Sequence, residues 1–225
     1  MKSPWSKIVS FAAALTLSTG CLSMGVHHSA RPVGDGKMEV GFTTGRPSYV
    51  SLATVGTGGL VGGAEGTLRY GMSDRATYTL TAGAGSITNH FDVALVNQQK
   101  FHFSVGGGLG LISAGATSSL LGVSAHLNGL GTDINMMVSV GDKKNEFSAG
   151  LKLGTILGGA ALTSEGTEAA ANSEGTGILG GPVLNWSHQG KRFTVVPEIG
   201  VYTGRYVADV IVLVLPSISF SAPVK

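Results

Sequence analysis

The sequence predicts an all-β fold, an antiparallel up-and-down transmembrane β-barrel of about ten strands, with eight and twelve as the alternative counts. Three observations predict it. Apolar residues alternate with polar or glycine residues at period two in segment after segment. The links between segments alternate between compact polar turns and longer stretches of Gly, Ser and Ala. Aromatic residues gather near the compact turns. Period-two alternation marks strands with one apolar and one polar face, and a regular succession of short and long links is how an up-and-down barrel joins them.

Composition points the same way. The 36 glycines and 12% charged residues depart from an average domain with about 7% Gly and about 25% charge. The net charge is +2 with Lys and Arg scattered, so no basic patch directs the chain to nucleic acid. A single cysteine, Cys21, excludes an intramolecular disulfide.

At the amino terminus Lys2 and Lys7 flank an apolar run over residues 8–17 that ends in Ser18, Thr19 and Gly20. A transmembrane helix needs about 20 apolar residues. The run is shorter, so residues 1–20 are expected to be a cleaved secretory signal peptide. Residues 21–36 read as a polar tether carrying His27 and His28. Adjacent side chains on an extended chain point in opposite directions, so this pair is not expected to bind a metal. No cofactor is expected.

The barrel is predicted over residues 37–221, with 222–225 as a short tail. Its ten strand segments are 37–44, 62–71, 75–84, 89–97, 101–111, 132–141, 146–157, 176–188, 193–203 and 207–221. The clearest is 101–111, which sets Phe103, Val105, Leu109 and Leu111 against His102, Ser104, Gly106, Gly108 and Gly110. The second set cannot fill a soluble core. The least regular is 207–221, where Pro216 interrupts an apolar run. Residues 120–127 also alternate, and are read as loop because that keeps every compact turn at one end and the strand count even. The compact turns are 72–75, 97–100, 142–145 and 187–191. The long links are 45–59, 112–131 and 158–175.

Tyr70, Tyr78, Phe101, Phe103, Phe147, Trp186 and Phe193 all stand within a few residues of a compact turn on the apolar face. That makes them a girdle at one end of the barrel, where amphipathic rings suit a membrane interface. Tyr202 and Tyr206 lie toward the opposite end.

On these patterns residues 37–221 resemble the small bacterial outer-membrane β-barrels. Leu17-Ser18-Thr19-Gly20-Cys21 resembles the lipobox of bacterial lipoproteins, with Leu one position earlier than usual. The resemblance implies a lipoprotein member of that group, with Cys21 acylated as the mature N-terminus. It also implies residence in the outer membrane, with membrane lipid and the barrel assembly machinery as partners. Many such barrels end on an aromatic residue, whereas here Phe220 is followed by Ser221-Ala222-Pro223-Val224-Lys225.

The face opposite the large apolar residues carries Glu39, Glu65, Arg69, His90, Asp92, His102, Asp133, Lys152 and Glu198. Buried charges are tolerated chiefly when partnered, so these residues are expected to form a network of ion pairs and hydrogen bonds in the lumen. Glycines on that face remove bulk and leave room for a narrow pore or a water-filled pocket open to a small solute. A structural or interaction role leads, a narrow passive pore follows, and a barrel-embedded enzyme acting on lipid or peptide is third. The enzyme would use Asp92, His102 and Ser104, which share one parity on neighbouring strands. A soluble lipocalin-like carrier, with its apolar faces turned inward, is the non-membrane rival. Gly106-Gly107-Gly108-Leu109-Gly110 lacks the following helix that a phosphate loop requires.

Overall fold

The computed structural model describes residues 26, 28–44, 48–52, 58–61, 64–83, 86–118, 123–164, 167–206 and 209–224. All of its regular structure is strand: β1 Met38–Thr44, β2 Ser48–Leu52, β3 Gly58–Val61, β4 Glu65–Gly71, β5 Ala76–Gly83, β6 Ser86–Asn97, β7 Phe101–Ser118, β8 Val123–Gly141, β9 Asn145–Ser164, β10 Thr167–Gln189, β11 Thr194–Tyr206 and β12 Asp209–Val224. β1 pairs with β4, each strand from β4 to β12 pairs antiparallel with the next, and β12 returns to β1. These ten strands close a barrel with no free edge, which removes the liability of an unpaired ladder.

The two additional strands are continuations of the wall. β1 meets β12 from Met38↔Val224 to Thr44↔Ile218, and β2 resumes on the same strand at Tyr49↔Val214 and Leu52↔Ile211. β2 and β3 then pair as a hairpin that prolongs β1 and β4. The stretch of β12 between these two registers includes Pro216, which faces Ile199 of β11 and whose ring leaves no N–H for a ladder.

Alternation decides which way each residue faces. In β5 the inward positions Thr77, Thr79, Thr81 and Gly83 are buried while Ala76, Tyr78, Leu80 and Ala82 are partly exposed. Farther along, Leu109, Leu151 and Ile199 are 51%, 55% and 45% exposed on the outside, whereas Lys152 and Glu198 are buried inside. Large apolar side chains outward and charges inward is the architecture of a transmembrane β-barrel. The interior is not uniformly polar, because Met137, Ile156, Leu179, Val183, Val196 and Tyr202 also point inward and are buried.

Several expectations about links are corrected. The stretches 112–131 and 158–175 are not loops over most of their length. β7 and β8 stay paired up to Ser118↔Val123, and β9 and β10 up to Ser164↔Thr167. Residues 123–127 belong to β8, so they are neither loop nor an extra strand, and the stretch 45–59 contains β2 and the start of β3. Small residues with interspersed Leu, Ala and Gly continue the strand pattern, and cross-strand backbone bonds outweigh the weak strand propensity of glycine. Strands of 18 to 23 residues, β7 to β10, far exceed the roughly 9–11 needed to cross a bilayer. Those four of the ten strands therefore project beyond the rim opposite the compact turns. At the other end β12 remains paired to Val224, so residues 222–224 complete the wall.

Candidate functional site

The site is the lumen at the end where the compact turns lie. Asp142 shows how those turns are made: its Oδ1 accepts the N–H of Lys144 at 2.8 Å and of Asn145 at 2.7 Å. These two donors hold its carboxyl below the ordinary range.

Into this end the amino-terminal segment inserts as a strap. It starts at the rim, where Gly36 N–H donates to Gly71 O, and goes deeper as residue numbers fall. Val33 N–H donates to Thr77 Oγ1 at 3.2 Å, one residue into β5. Arg31 pairs with Glu146 at 3.4 Å, one residue into β9. Ala30 N–H donates to Ser139 Oγ at 2.7 Å, and Ser139 in turn shares a hydrogen bond with Ser148. His28 O accepts from Asn185 Nδ2 at 3.0 Å, and Val26 N–H donates to Glu198 Oε1 at 3.0 Å, four residues into β11. Residues 26 and 28–36 were expected to be a tether outside the barrel. The strap lacks a helix or a ladder to satisfy its own backbone, and the lumen side chains supply the partners that buried backbone groups require.

Beyond the strap runs a chain of alternating basic side chains and carboxylates. His28 Nε2 faces Asp92 Oδ2 at 3.4 Å, and Asp92 Oδ1 lies 3.2 Å from His90 Nε2. His90 Nδ1 lies 3.1 Å from Asp133 Oδ1, whose Oδ2 is 3.2 Å from Lys152 Nζ. Asn135 Nδ2 is 3.0 Å from His90 Nε2. The inward glycines of β7 make room for this chain. A Cβ at Gly106 would strike Asp92, His90 and Asn135, and one at Gly108 would strike His90 and Asp133. The space that these glycines free is thus largely filled by imidazole and carboxylate.

The other inward residues fall into separate groups. Arg69 pairs with Glu39 at 3.0 Å, on neighbouring strands with Glu39 opposite Arg69. His102 lies 3.7 Å from Glu146. Glu65 is fully buried at the far end of β4. A cavity of about 510 Å³ remains between the strap and the wall, lined by Arg69, His90 and Lys152 together with the threonines at 67, 79 and 81.

The arrangement needed by the enzyme reading is not assembled. Asp92 pairs across with Gly106, not with Ser104, and Ser104 sits opposite Ala94. A bulge at Leu95 follows, where Ala94↔Ser104 gives way to Val96↔Phe103. Asp92 faces His28 and His90, His102 has only Glu146 at 3.7 Å, and among the described residues the Ser104 hydroxyl has no hydrogen-bond partner. Among the described residues no three His, Cys, Asp or Glu side chains converge as metal ligands.

On the outside Tyr70, Phe101, Phe147, Trp186 and Phe193 are exposed, and Tyr78 and Phe103 partly so. They align laterally, since Phe101 pairs with Val140, Val140 with Phe147, and Phe147 with Trp186. A second row runs Met38, Tyr70, Tyr78, Phe91. Phe91 and Phe220, both exposed, belong to the same belt and could have been found by extending the parity of their strands. Tyr202 instead turns inward and is fully buried, its ring lying over Gly200. Parity would likewise have found Glu146, which shares the inward face of Lys152. Nothing in a short polar segment signals that residues 26 and 28–33 enter the lumen. Cys21 lies outside the described residues.

No protein-family model matches the chain, and no curated protein sequence matches it. Solved structures it is similar to include Ail, the attachment invasion locus protein of Yersinia pestis, at 12% identity over 83% of this chain and 99% of that one, with a TM-score of 0.42. Neisserial surface protein A, NspA, is 11% identical over 83% of this chain and 95% of that one, with a TM-score of 0.41. The Pseudomonas putida toluene transporter TodX is 12% identical over 92% of this chain and 76% of that one, with a TM-score of 0.35. At such identities the likeness reaches no further than the fold.

Proposed function

We propose that the protein is an integral outer-membrane barrel with a structural or surface-interaction role, further anchored by acyl chains on Cys21. The observation that carries this reading is the inverted distribution of polarity: Leu, Ile, Val and aromatic side chains cover the outside while ion pairs occupy the inside. Water would penalise that outer face and bilayer hydrocarbon rewards it. A lipocalin-like carrier would need the opposite arrangement. The acyl anchor is compatible with the strap. Five residues from Val26 back to Cys21 can extend about 17 Å, whereas Glu198, the partner of Val26, lies only about 10 Å above the rim, taking four residues of a strand tilted by ~40°.

A second reading, a narrow pore, draws on the 510 Å³ cavity, but the strap lies in the lumen beside it and forms part of its lining. An enzyme in the barrel wall finds no support in the separation of Asp92, His102 and Ser104. Fractionation tests the leading reading. The protein should resist carbonate and urea washing and show heat-dependent gel mobility. Recovery in the soluble periplasm would refute it.

A further inference from the structure

We propose that the turn end of the lumen is a binding site for an extended polypeptide, filled in cis by the chain's own residues 26 and 28–33, and that vacating it opens an aqueous path through the barrel. The second clause rests on the transmembrane reading above; the first does not.

Recognition is chiefly of main chain. The N–H groups of Val26, Ala30 and Val33 and the carbonyl of His28 are met by Glu198, Ser139, Thr77 and Asn185. These four side chains come from β11, β8, β5 and β10, so the site surrounds its occupant. A folded element could not use it, because a helix or hairpin would already have spent the backbone groups that the wall addresses. Two side-chain anchors set register and direction: Arg31 on Glu146 through Nε and Nη2, with Nη2 also reaching Gln99 O at 3.3 Å, and His28 on Asp92. Two of the inward residues at the strap are small and buried, Ser139, which meets Ala30 N–H, and Ser148 behind it. The cavity beside the strap is lined by Val26, His28, Arg31 and Val33 on one side and by wall residues on the other. Removal of the strap therefore merges its own volume with space already present.

Planar-bilayer recording of the refolded protein tests this, comparing the chain from Leu22 onward with a chain that begins at Gly34. The longer chain should show no steady conductance and the shorter one a steady, ohmic conductance. A synthetic peptide of residues 22–33 added on the turn side should close the shorter barrel, and the same peptide with Arg31→Ala should need about tenfold more, the loss expected for one charge-assisted contact. Equal conductance of the two chains, or block by neither peptide, would overturn the proposal. If the shorter chain fails to fold, Ala30→Cys with Ser139→Cys in a Cys21→Ser background provides the second measurement. The oxidised pair should stay closed under voltage while the reduced form opens, and failure to cross-link would place the strap elsewhere. If no form inserts into bilayers, the transmembrane reading fails. Anisotropy of labelled peptide on the detergent-held shorter chain would then still report binding, or refute it by showing none.

Discussion

Replacing Leu151 by Arg separates a membrane barrel from a soluble one. Leu151 is 55% exposed on the outer face of β9, paired laterally with Met136 and Pro182. It stands six residues above Asn145, where β9 begins. On a strand rising about 3.4 Å per residue and tilted by ~40°, that is about 16 Å from the rim, close to the middle of an apolar band about 25 Å tall. An Arg at that depth should cost about 2–4 kcal/mol, or about 30- to 700-fold in the folding equilibrium. In water the same exposed position would respond by no more than about 0.5 kcal/mol. The assay is denaturant titration in lipid vesicles, read by Trp186, since the other tryptophan, Trp5, lies in the expected signal peptide. Asn145→Arg at the rim is the control and should cost about 0–1 kcal/mol. A cost below about 0.5 kcal/mol for Leu151→Arg, or equal costs at the two sites, would refute the inside-out reasoning.

Further outcomes follow from the same geometry. A cysteine at Lys144 should be silent to an impermeant thiol reagent on whole cells while one at Ala170 reacts, because the compact turns are assigned to the periplasm; the reverse pattern inverts the topology. Cys21→Ser should abolish incorporation of labelled fatty acid, and full labelling would remove the lipid anchor from the proposal. Gly150→Ser should destabilise the barrel by about 1–3 kcal/mol through overpacking, because a Cβ there would meet Met137 Sδ and the Met136 carbonyl. Met137→Ala should relieve only the side-chain part, and full rescue would show that the backbone contact is unimportant. Asp142, whose carboxyl is depressed by two backbone donors, contributes stability that is present above the unfolded carboxyl value of about 3.9 and is lost as pH falls through its lower folded value. Wild type should therefore lose, on acidification, an advantage over Asp142→Asn that the variant does not show, and parallel pH curves would argue against it.

Much of the barrel was legible because a strand's two faces alternate with a period that no other element shares. Fixing Phe103, Leu109, Leu151 and Ile199 on one parity necessarily put His102, Lys152 and Glu198 on the other. The partners of those inward residues were not legible. Register decides that Glu39 meets Arg69 and that Asp92 faces Gly106, and the bulge at Leu95 shifts that register by one. Ends of strands were also hidden. Gly, Ala and Ser runs read as loop from composition, yet their backbone groups pair across β7, β8, β9 and β10.

By itself, then, the sequence determined the fold class, the alternation of faces and the end at which the turns are tight, because each of these is a local or periodic property of the chain. Tertiary structure alone decided that residues 26 and 28–33 enter the lumen, that the inward glycines of β7 give their space to His90 and its carboxylates, and that the Ser104 hydroxyl has no hydrogen-bond partner among the described residues. Those outcomes depend on contacts between residues as far apart as Val26 and Glu198, and no periodicity along a chain encodes which distant donor will meet which acceptor once the barrel has closed.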